Sequence, residues 1–180
     1  MKRVPVDLAM VADALTHSSP DYSNFLDIET GEVILVEHNI LHLIEELFGH
    51  DRLPEQDEPP DMGFVIEEKQ LPQWQEKSLQ DAYRIEMHIG GRIIRIPAGE
   101  PGHSWDDMAE FIETVQNSHL ADRLRDAIDG RGAFSRFRRV VYDHPETAKE
   151  WNAFRETRQQ ERAIEWLESE GISVAEKKES

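Results

Sequence analysis

The stretch YSNFLDIETGEVILVEH constrains the fold of this chain more than any other. Two runs rich in β-forming residues, 22–28 and 32–37, are joined by Glu29, Thr30 and Gly31. Because glycine accepts the positive φ of a tight turn, the pattern predicts an antiparallel hairpin over residues 22–37. A hairpin alone is marginally stable in water. We therefore expect residues 92–96, also rich in β-formers, to add a third strand.

Apolar residues recur at helical spacing through most of the remaining chain. Helices are predicted over 8–17, 39–48, 72–88, from 104 onward, 120–129, 134–142 and 145–170. Asp7 and Ser104 are expected to cap two of them at the N-terminus. Gly49, Gly130 and Gly171 are expected to end three others.

Two segments allow more than one interpretation. Residues 77–89 fit the helix above, but RIEMHI and RIIRI around Gly90 and Gly91 also fit a second hairpin. Residues 50–63 hold three prolines and five acids, which is typical of a solvated surface loop. The alternative, for the acidic residues between 51 and 68, is a surface that mimics DNA and occupies a basic partner.

Together these elements predict an α+β fold, with a small antiparallel sheet of two or three strands and a helical C-terminal lobe. The 180 residues fit a single domain over residues 1–172, with lobes 1–100 and 104–170 and a frayed tail at 173–180. The expected core anchors of the helical lobe are Trp105, Ile112, Leu124, Ile128, Phe134, Phe137, Trp151 and Phe154.

Composition limits where and how the chain works. It has no cysteine, which excludes a disulfide framework, a thiolate metal site and a cysteine nucleophile. Asp7 and Asp13 interrupt the basic N-terminus, so we expect no signal peptide. No apolar run approaches the ~20 residues of a membrane span. The expected location is the cytoplasm, without a membrane partner.

The charge is strongly negative, since 20 basic residues face 37 acidic ones, giving a net charge of −17. Such a charge repels nucleic acid at long range. Salt screens that repulsion beyond ~8–10 Å, so a local basic patch still acts at contact distance. The segment GRGAFSRFRR, residues 130–139, is such a patch, with four arginines in ten residues.

Arginines at helical spacing form the first candidate site. Arg155, Arg158 and Arg162 lie three and four residues apart, so they share one helix face. With the arginines of the basic segment they predict an anion-binding or partner-binding surface, formed by Arg131, Arg136, Arg139, Arg155, Arg158 and Arg162. The competing interpretation, which we favour, is a helical elbow whose arginines chiefly pair with acids on neighbouring helices. Those acids are Asp106, Asp107, Glu110, Glu113, Asp122 and Asp126.

Histidines form the second candidate site. His38 and His42 are four residues apart, a spacing that places two rings on one helix face and suits zinc. The intervening run HNILH lacks the glutamate of a zinc protease. The alternative is that His42 lies at the edge of the core.

Catalytic and cofactor motifs are absent from the sequence. Neighbouring carboxylates such as Asp106 and Asp107 do not face each other on a helix, so they do not form an acid–base pair. No nucleophile elbow or P-loop occurs. We therefore expect no cofactor and favour a non-enzymatic binding or regulatory protein with a protein partner. RNA or a phosphorylated ligand on the arginines is one alternative, and an enzyme with scattered catalytic groups is another.

Several segments resemble a known family. DMAEFIETV, LADRLRDAIDGRGAFSRFRRVV and WNAFRETRQQERAIEWLESEGI resemble the C-terminal half of a widespread bacterial family of uncharacterised proteins. The hairpin FLDIETGEVILV is similar to the N-terminal part of that family. The resemblance implies a small cytoplasmic α+β protein, and it implies no catalytic residues.

Overall fold

The computed structural model describes residues 1–17, 19–52, 61–99 and 103–175, and its architecture is α+β as predicted. In chain order the elements are β1 Lys2–Val4, α1 Leu8–Thr16, β2 Tyr22–Asp27, β3 Val33–Glu37, α2 His38–Arg52, α3 Met62–Lys69, a 3-10 turn Gln73–Gln75, α4 Glu76–His88, β4 Ile93–Ile96, α5 His103–Thr114, α6 Ser118–Ile128, α7 Ala133–Tyr142, α8 Pro145–Ser169 and β5 Ile172–Val174. The described chain forms two compact units, residues 1–99 with 164–175, and residues 103–163. The expected single domain over 1–172 stays a prediction.

The first unit is built on the predicted hairpin. Strands β2 and β3 pair antiparallel, with Phe25 opposite Ile34, and β4 adds on the other side of β2, so the order is β3-β2-β4. The expected third strand is confirmed. Gly31 has φ +77°, and a Cβ there would lie 2.4 Å from the carbonyl oxygen of Pro5. The turn therefore requires glycine both for its backbone conformation and for space.

A second, two-stranded sheet was not predicted. Strands β1 and β5 pair parallel, with Arg3 opposite Ser173. Each strand has three residues, which is too short for a period-two pattern to be read. Ser173 and Val174 therefore lie in a strand rather than in the frayed tail expected from residue 173, and residues 176–180 of that tail lie outside the described residues.

Helices α2 and α4 cover one face of the three-stranded sheet. Phe25 and Val36 from the sheet, Ile44 from α2, and Leu79 and Tyr83 from α4 all belong to one buried cluster. The helical interpretation of 72–88 is confirmed for Glu76–His88, and the alternative hairpin is wrong. The buried residues of α4, Leu79, Ala82, Tyr83 and Ile85, follow helical spacing and not the alternation of a strand.

Two expected boundaries near the acidic segment are wrong. Helix α2 continues to Arg52, past the expected end at Gly49. Helix α3 begins at Met62, inside the predicted 50–63 loop, and Asp61 caps it by accepting from the amide of Gly63 at 2.9 Å. Residues 53–60 lie outside the described residues. Met62, Val65 and Ile66 of α3 are buried at helical spacing and belong to the core of the first unit, which favours a helix over a solvated loop.

The second unit is a helical assembly around an aromatic core. The rings of Phe111, Phe137 and Trp151 meet edge to face, with centroids 4.9 to 6.3 Å apart. Two expected core anchors are wrong, because Trp105 is 46% and Phe134 50% exposed. The Trp105 indole donates from Nε1 to the carbonyl of Ile128 at 3.2 Å, which holds its ring at the end of α6. The N-terminal prediction for α5 is also wrong, since Ser104 lies inside the helix.

None of the helices in the described ranges combines the length and the apolar character needed to cross a bilayer.

Candidate binding surface on helix α7

The arginine-rich segment forms the connection between α6 and α7. Gly130 and Gly132 both have positive φ, +71° and +77°, which lets the chain reverse between the helices. The Arg136 guanidinium donates from Nε to the carbonyl of Ala127 at 3.1 Å, and also to the carbonyls of Asp129 and Arg131. These carbonyls lie at or just beyond the end of α6, where the helix leaves acceptors unsatisfied. Arg136 therefore works as an internal C-terminal cap.

Arg162 is occupied by a buried carboxylate. Its guanidinium makes a two-pronged contact with Asp107 of α5, with Nη1 at 2.9 Å from Oδ2 and Nη2 bonded to Oδ1. Asp107 is only 3% exposed, so its charge needs this partner.

Arg158 is shared among several carboxylates. It donates to Glu110 at 3.0 Å and to Glu161 at 2.9 Å, and its Nε lies 3.8 Å from Asp107. The hydrogen bond to Glu161 raises the pKa of Arg158, burial lowers it less, and the charges of Glu110, Glu161 and Asp107 raise it further. Arg158 and Arg162 thus hold α8 against α5 through internal ion pairs.

The remaining arginines of the predicted set point elsewhere. The side chains of Arg131, Arg139 and Arg155 are exposed, and within the described residues their guanidinium groups have neither a hydrogen bond nor an ion pair. Arg138 of the same basic segment is in the same situation. The six predicted arginines therefore separate into three with internal partners and three that face solvent.

Helix α7 carries a strip of exposed side chains beside its buried face. Ala133, Phe137 and Val141 are buried at a spacing of four, and Phe134, Arg138 and Tyr142 follow each of them by one position. One position rotates a side chain by about 100°, so these three share a strip at the edge of the buried face.

Together with the exposed Arg131 and Arg139, this strip forms what we call the α7 face. Its members are Arg131, Phe134, Arg138, Arg139 and Tyr142. Phe134 and Tyr142 are 50% and 52% exposed, and the Tyr142 hydroxyl lies 3.4 Å from Oδ1 of Asn152. Arg138 and Tyr142 are not among the residues predicted from the sequence, although their spacing of four is visible there.

The histidine pair does not form a shared site. His38 uses both ring nitrogens, with Nδ1 at 2.8 Å from the carbonyl of Pro20 and Nε2 at 2.8 Å from the Ser23 hydroxyl. His42 is exposed beside Glu45 and Glu46, at 3.6 Å from each. No group of three potential metal ligands occurs in the part of the chain that the structure describes. The metal prediction gains no support from these residues.

The fold and this surface define an acidic α+β protein whose helical unit displays a basic and aromatic helix face. A family model described as "Uncharacterised protein family (UPF0158)" matches residues 75–179, more than half of the chain. The chain belongs to this family, which confirms the resemblance seen in the sequence. The matched residues include the α7 face and the ion pairs of Asp107.

A curated relative gives the same family name. The chain is similar to "UPF0158 protein PA5073" of Pseudomonas aeruginosa, with 27% identity over 84 residues. The aligned part is 47% of this chain and 55% of the relative, so the chain spans about half the length of the curated relative it matches. No solved structure matches the chain.

Proposed function

We propose that the protein binds another protein through the α7 face, and that the partner presents an acidic surface to it. The observation that carries this proposal is the set of exposed arginines, Arg131, Arg138 and Arg139. Acids outnumber basic residues 37 to 20 in this chain, yet these arginines have no ion pair within the described residues. Cations that the protein does not neutralise internally are available to an outside partner.

The composition of the face supports a protein interface. Aromatic residues and arginine are enriched at such interfaces, whereas lysine and acidic residues are depleted. Phe134 and Tyr142 each keep about half of their surface in water, and burying an aromatic ring against a partner recovers roughly 25 cal/mol per Å² of apolar area. Arginine and tyrosine are also among the residues that dominate binding energy when an interface desolvates them.

The surroundings of the face favour a protein over a nucleic acid. Asp129, at the C-terminal end of α6, and Asp143, at the C-terminal end of α7, are both exposed, and a helix of ten residues is about 15 Å long. A phosphate backbone that continued beyond the helix would meet these carboxylates. The net charge of −17 also disfavours the approach of a polyanion. A folded partner with a local acidic patch avoids both costs. The cytoplasmic location expected from the sequence remains part of the proposal.

Charge reversal on the face tests the proposal. The variant Arg138→Glu with Arg139→Glu is compared with Lys69→Glu plus Lys149→Glu, which makes the same change in net charge at exposed positions elsewhere. Proteins captured from native extract by wild type are identified, purified and titrated by calorimetry. We expect the α7 variant to bind the purified partner at least tenfold more weakly, about 1.4 kcal/mol. The control variant should bind like wild type.

A reciprocal change shows whether the contact is direct. Replacing acids on the partner surface by lysine should restore binding to the α7 variant and weaken binding to wild type. The proposal fails if the α7 variant binds the purified partner as tightly as wild type. It also fails if nuclease removes the captured material, which would indicate RNA on the face.

A further inference from the structure

A serine, a histidine and an arginine meet at one end of the three-stranded sheet in the first unit. Ser23 on β2 is 6% exposed, and its Oγ lies 2.8 Å from Nε2 of His38, the first residue of α2. The other ring nitrogen, Nδ1, lies 2.8 Å from the carbonyl oxygen of Pro20. Arg95 on β4 donates from Nη2 to the same Ser23 Oγ at 2.9 Å.

The tautomer of His38 follows from these contacts. A carbonyl oxygen only accepts, so Nδ1 carries the ring proton in the neutral histidine. Nε2 is then the acceptor, and the Ser23 hydroxyl donates its proton toward it. The serine therefore points its proton at a base whose ring is oriented by a third group, as nucleophilic catalysis requires.

Arg95 gives the serine a second advantage. Its guanidinium is positively charged and bonded to Oγ, so it stabilises negative charge that develops on or near this oxygen. Neither Ser23 nor Arg95 was recognisable from the sequence, because they are 72 residues apart on strands that meet through β2–β4 pairing.

The serine borders a space that could hold a substrate. Ser23 and Arg95 line a small cavity of about 50 Å³, with room for an acyl group of roughly two to four heavy atoms. A larger cavity of about 380 Å³ is lined by Asn24 and Leu35, which lie on the sheet face opposite to the Ser23 side chain, so it does not adjoin the serine hydroxyl.

We propose that Ser23 is a nucleophile activated by His38, and that the first unit hydrolyses esters with a short acyl group. The short acyl group occupies the small cavity beside Ser23 and Arg95. This activity goes beyond partner binding and involves none of the residues of the α7 face.

The reaction needs only water as a second reactant. Ser23 Oγ attacks the carbonyl carbon and its proton passes to Nε2 of His38, which forms a tetrahedral oxyanion near the Arg95 guanidinium. Cleavage of the carbon–oxygen bond releases the alcohol, which takes the proton from Nε2. Water then attacks the acyl-serine and gives a proton to His38, and Ser23 Oγ recovers that proton as the carboxylic acid leaves.

Covalent labelling of the full chain tests this directly. We expect a fluorophosphonate probe to modify wild type once, with the adduct on Ser23 identified by peptide mass spectrometry. Ser23→Ala should remove the adduct. His38→Gln should slow labelling by about 100-fold or more, the lower range for loss of a general base. Ser118→Ala is the control, because Ser118 is an exposed serine at the start of α6 and lines neither cavity. It should label like wild type.

Ester hydrolysis gives the second readout. Wild type should hydrolyse p-nitrophenyl acetate faster than p-nitrophenyl decanoate, because the small cavity excludes the long acyl chain. A faster reaction with the decanoate would overturn the assigned substrate class.

The wild-type protein alone decides the main question, even if a substitution prevents folding. A serine that merely ties β2 to α2 has no reason to react, so a folded wild type without an adduct on Ser23 overturns the proposal. An adduct whose rate of formation is unchanged in folded His38→Gln overturns the role of the histidine.

Discussion

The turn of the β2–β3 hairpin depends on a buried carboxylate, and its removal should be costly. Asp27 has no exposed surface and receives two hydrogen bonds from Arg92 Nε, at 3.1 and 3.0 Å, and one from Nη2 at 2.7 Å. Its Oδ1 also accepts from the amides of Glu29 at 2.9 Å and Thr30 at 3.3 Å. Asp27→Ala therefore leaves one guanidinium and two turn amides without their acceptor.

The size of the loss follows from the exposure of the partner. Breaking a buried ion pair by removing one member costs about 3–5 kcal/mol. The Arg92 side chain is 32% exposed and also reaches Glu29 at 3.2 Å, so part of its charge is still solvated after the substitution. We therefore expect a loss at the lower end, about 3 kcal/mol. For a protein of this size that corresponds to a decrease in Tm of about 6–12 °C.

The contact between Asp27 and Arg92 should also make the free energy of unfolding depend on pH. Burial raises the pKa of Asp27, but the hydrogen bonds from Arg92 and from the amides of Glu29 and Thr30, with the charge of Arg92, together hold it below the ordinary value of 3.8. A carboxyl with a depressed folded-state pKa stabilises the fold fully above its unfolded pKa of about 3.9. That stabilisation is lost as the pH falls through the folded-state pKa. The difference between wild type and Asp27→Ala should therefore be constant near neutral pH and should shrink below about pH 4.

Urea unfolding of both proteins between pH 7 and pH 3 measures these effects. Glu29→Ala is the matched control, because Glu29 also contacts Arg92 but is 54% exposed. An exposed pair contributes at most about 1 kcal/mol. If Asp27→Ala destabilises the protein no more than Glu29→Ala, or if its deficit is unchanged at pH 3, then the buried Asp27 carboxylate does not stabilise the fold as expected.

Two further comparisons test the packing. Gly31→Ala should destabilise the protein well beyond the ~1 kcal/mol of a strained positive φ, because the new Cβ would lie 2.4 Å from the Pro5 carbonyl oxygen. Gly90 has φ +81° and no atom within 4 Å of an added Cβ, so Gly90→Ala should show the backbone strain alone. Equal losses by thermal unfolding would contradict the predicted clash. Phe137→Ala should cost about 3–5 kcal/mol in urea unfolding, because the ring is fully buried, whereas Phe134→Ala on the α7 face should cost under about 1 kcal/mol. Comparable losses would place Phe134 in the core.

Local sequence patterns were sufficient for the elements that depend on neighbouring residues. Turn chemistry at Gly31 and the β-forming runs on either side predicted the hairpin, because register and turn are set within a few residues. Helix periodicity predicted α6, α7 and α8 to within two residues, because amphipathic spacing and terminal glycines act within each helix. The sequence also predicted the family, because long segments of its helical half resemble that family.

Contacts between distant segments were decided by the tertiary structure. Strands β1 and β5 come from opposite ends of the chain, and three-residue strands carry no usable pattern. Arg155, Arg158 and Arg162 have equivalent helical spacing, yet only the last two meet carboxylates of α5, since spacing within one helix does not show what lies opposite each turn.

The α7 face and the Ser23 site also differ in how much of each the sequence alone could predict. The sequence marked the arginine-rich segment of the α7 face, but only the structure separated the capping Arg136 from its exposed neighbours. Ser23 and Arg95 have no local signature at all, because hydrogen bonding between strands brought them together beside His38. Patterns along the chain report which face of an element is apolar. Which polar groups converge depends on how elements from remote parts of the chain are placed, and that information exists only in the folded protein.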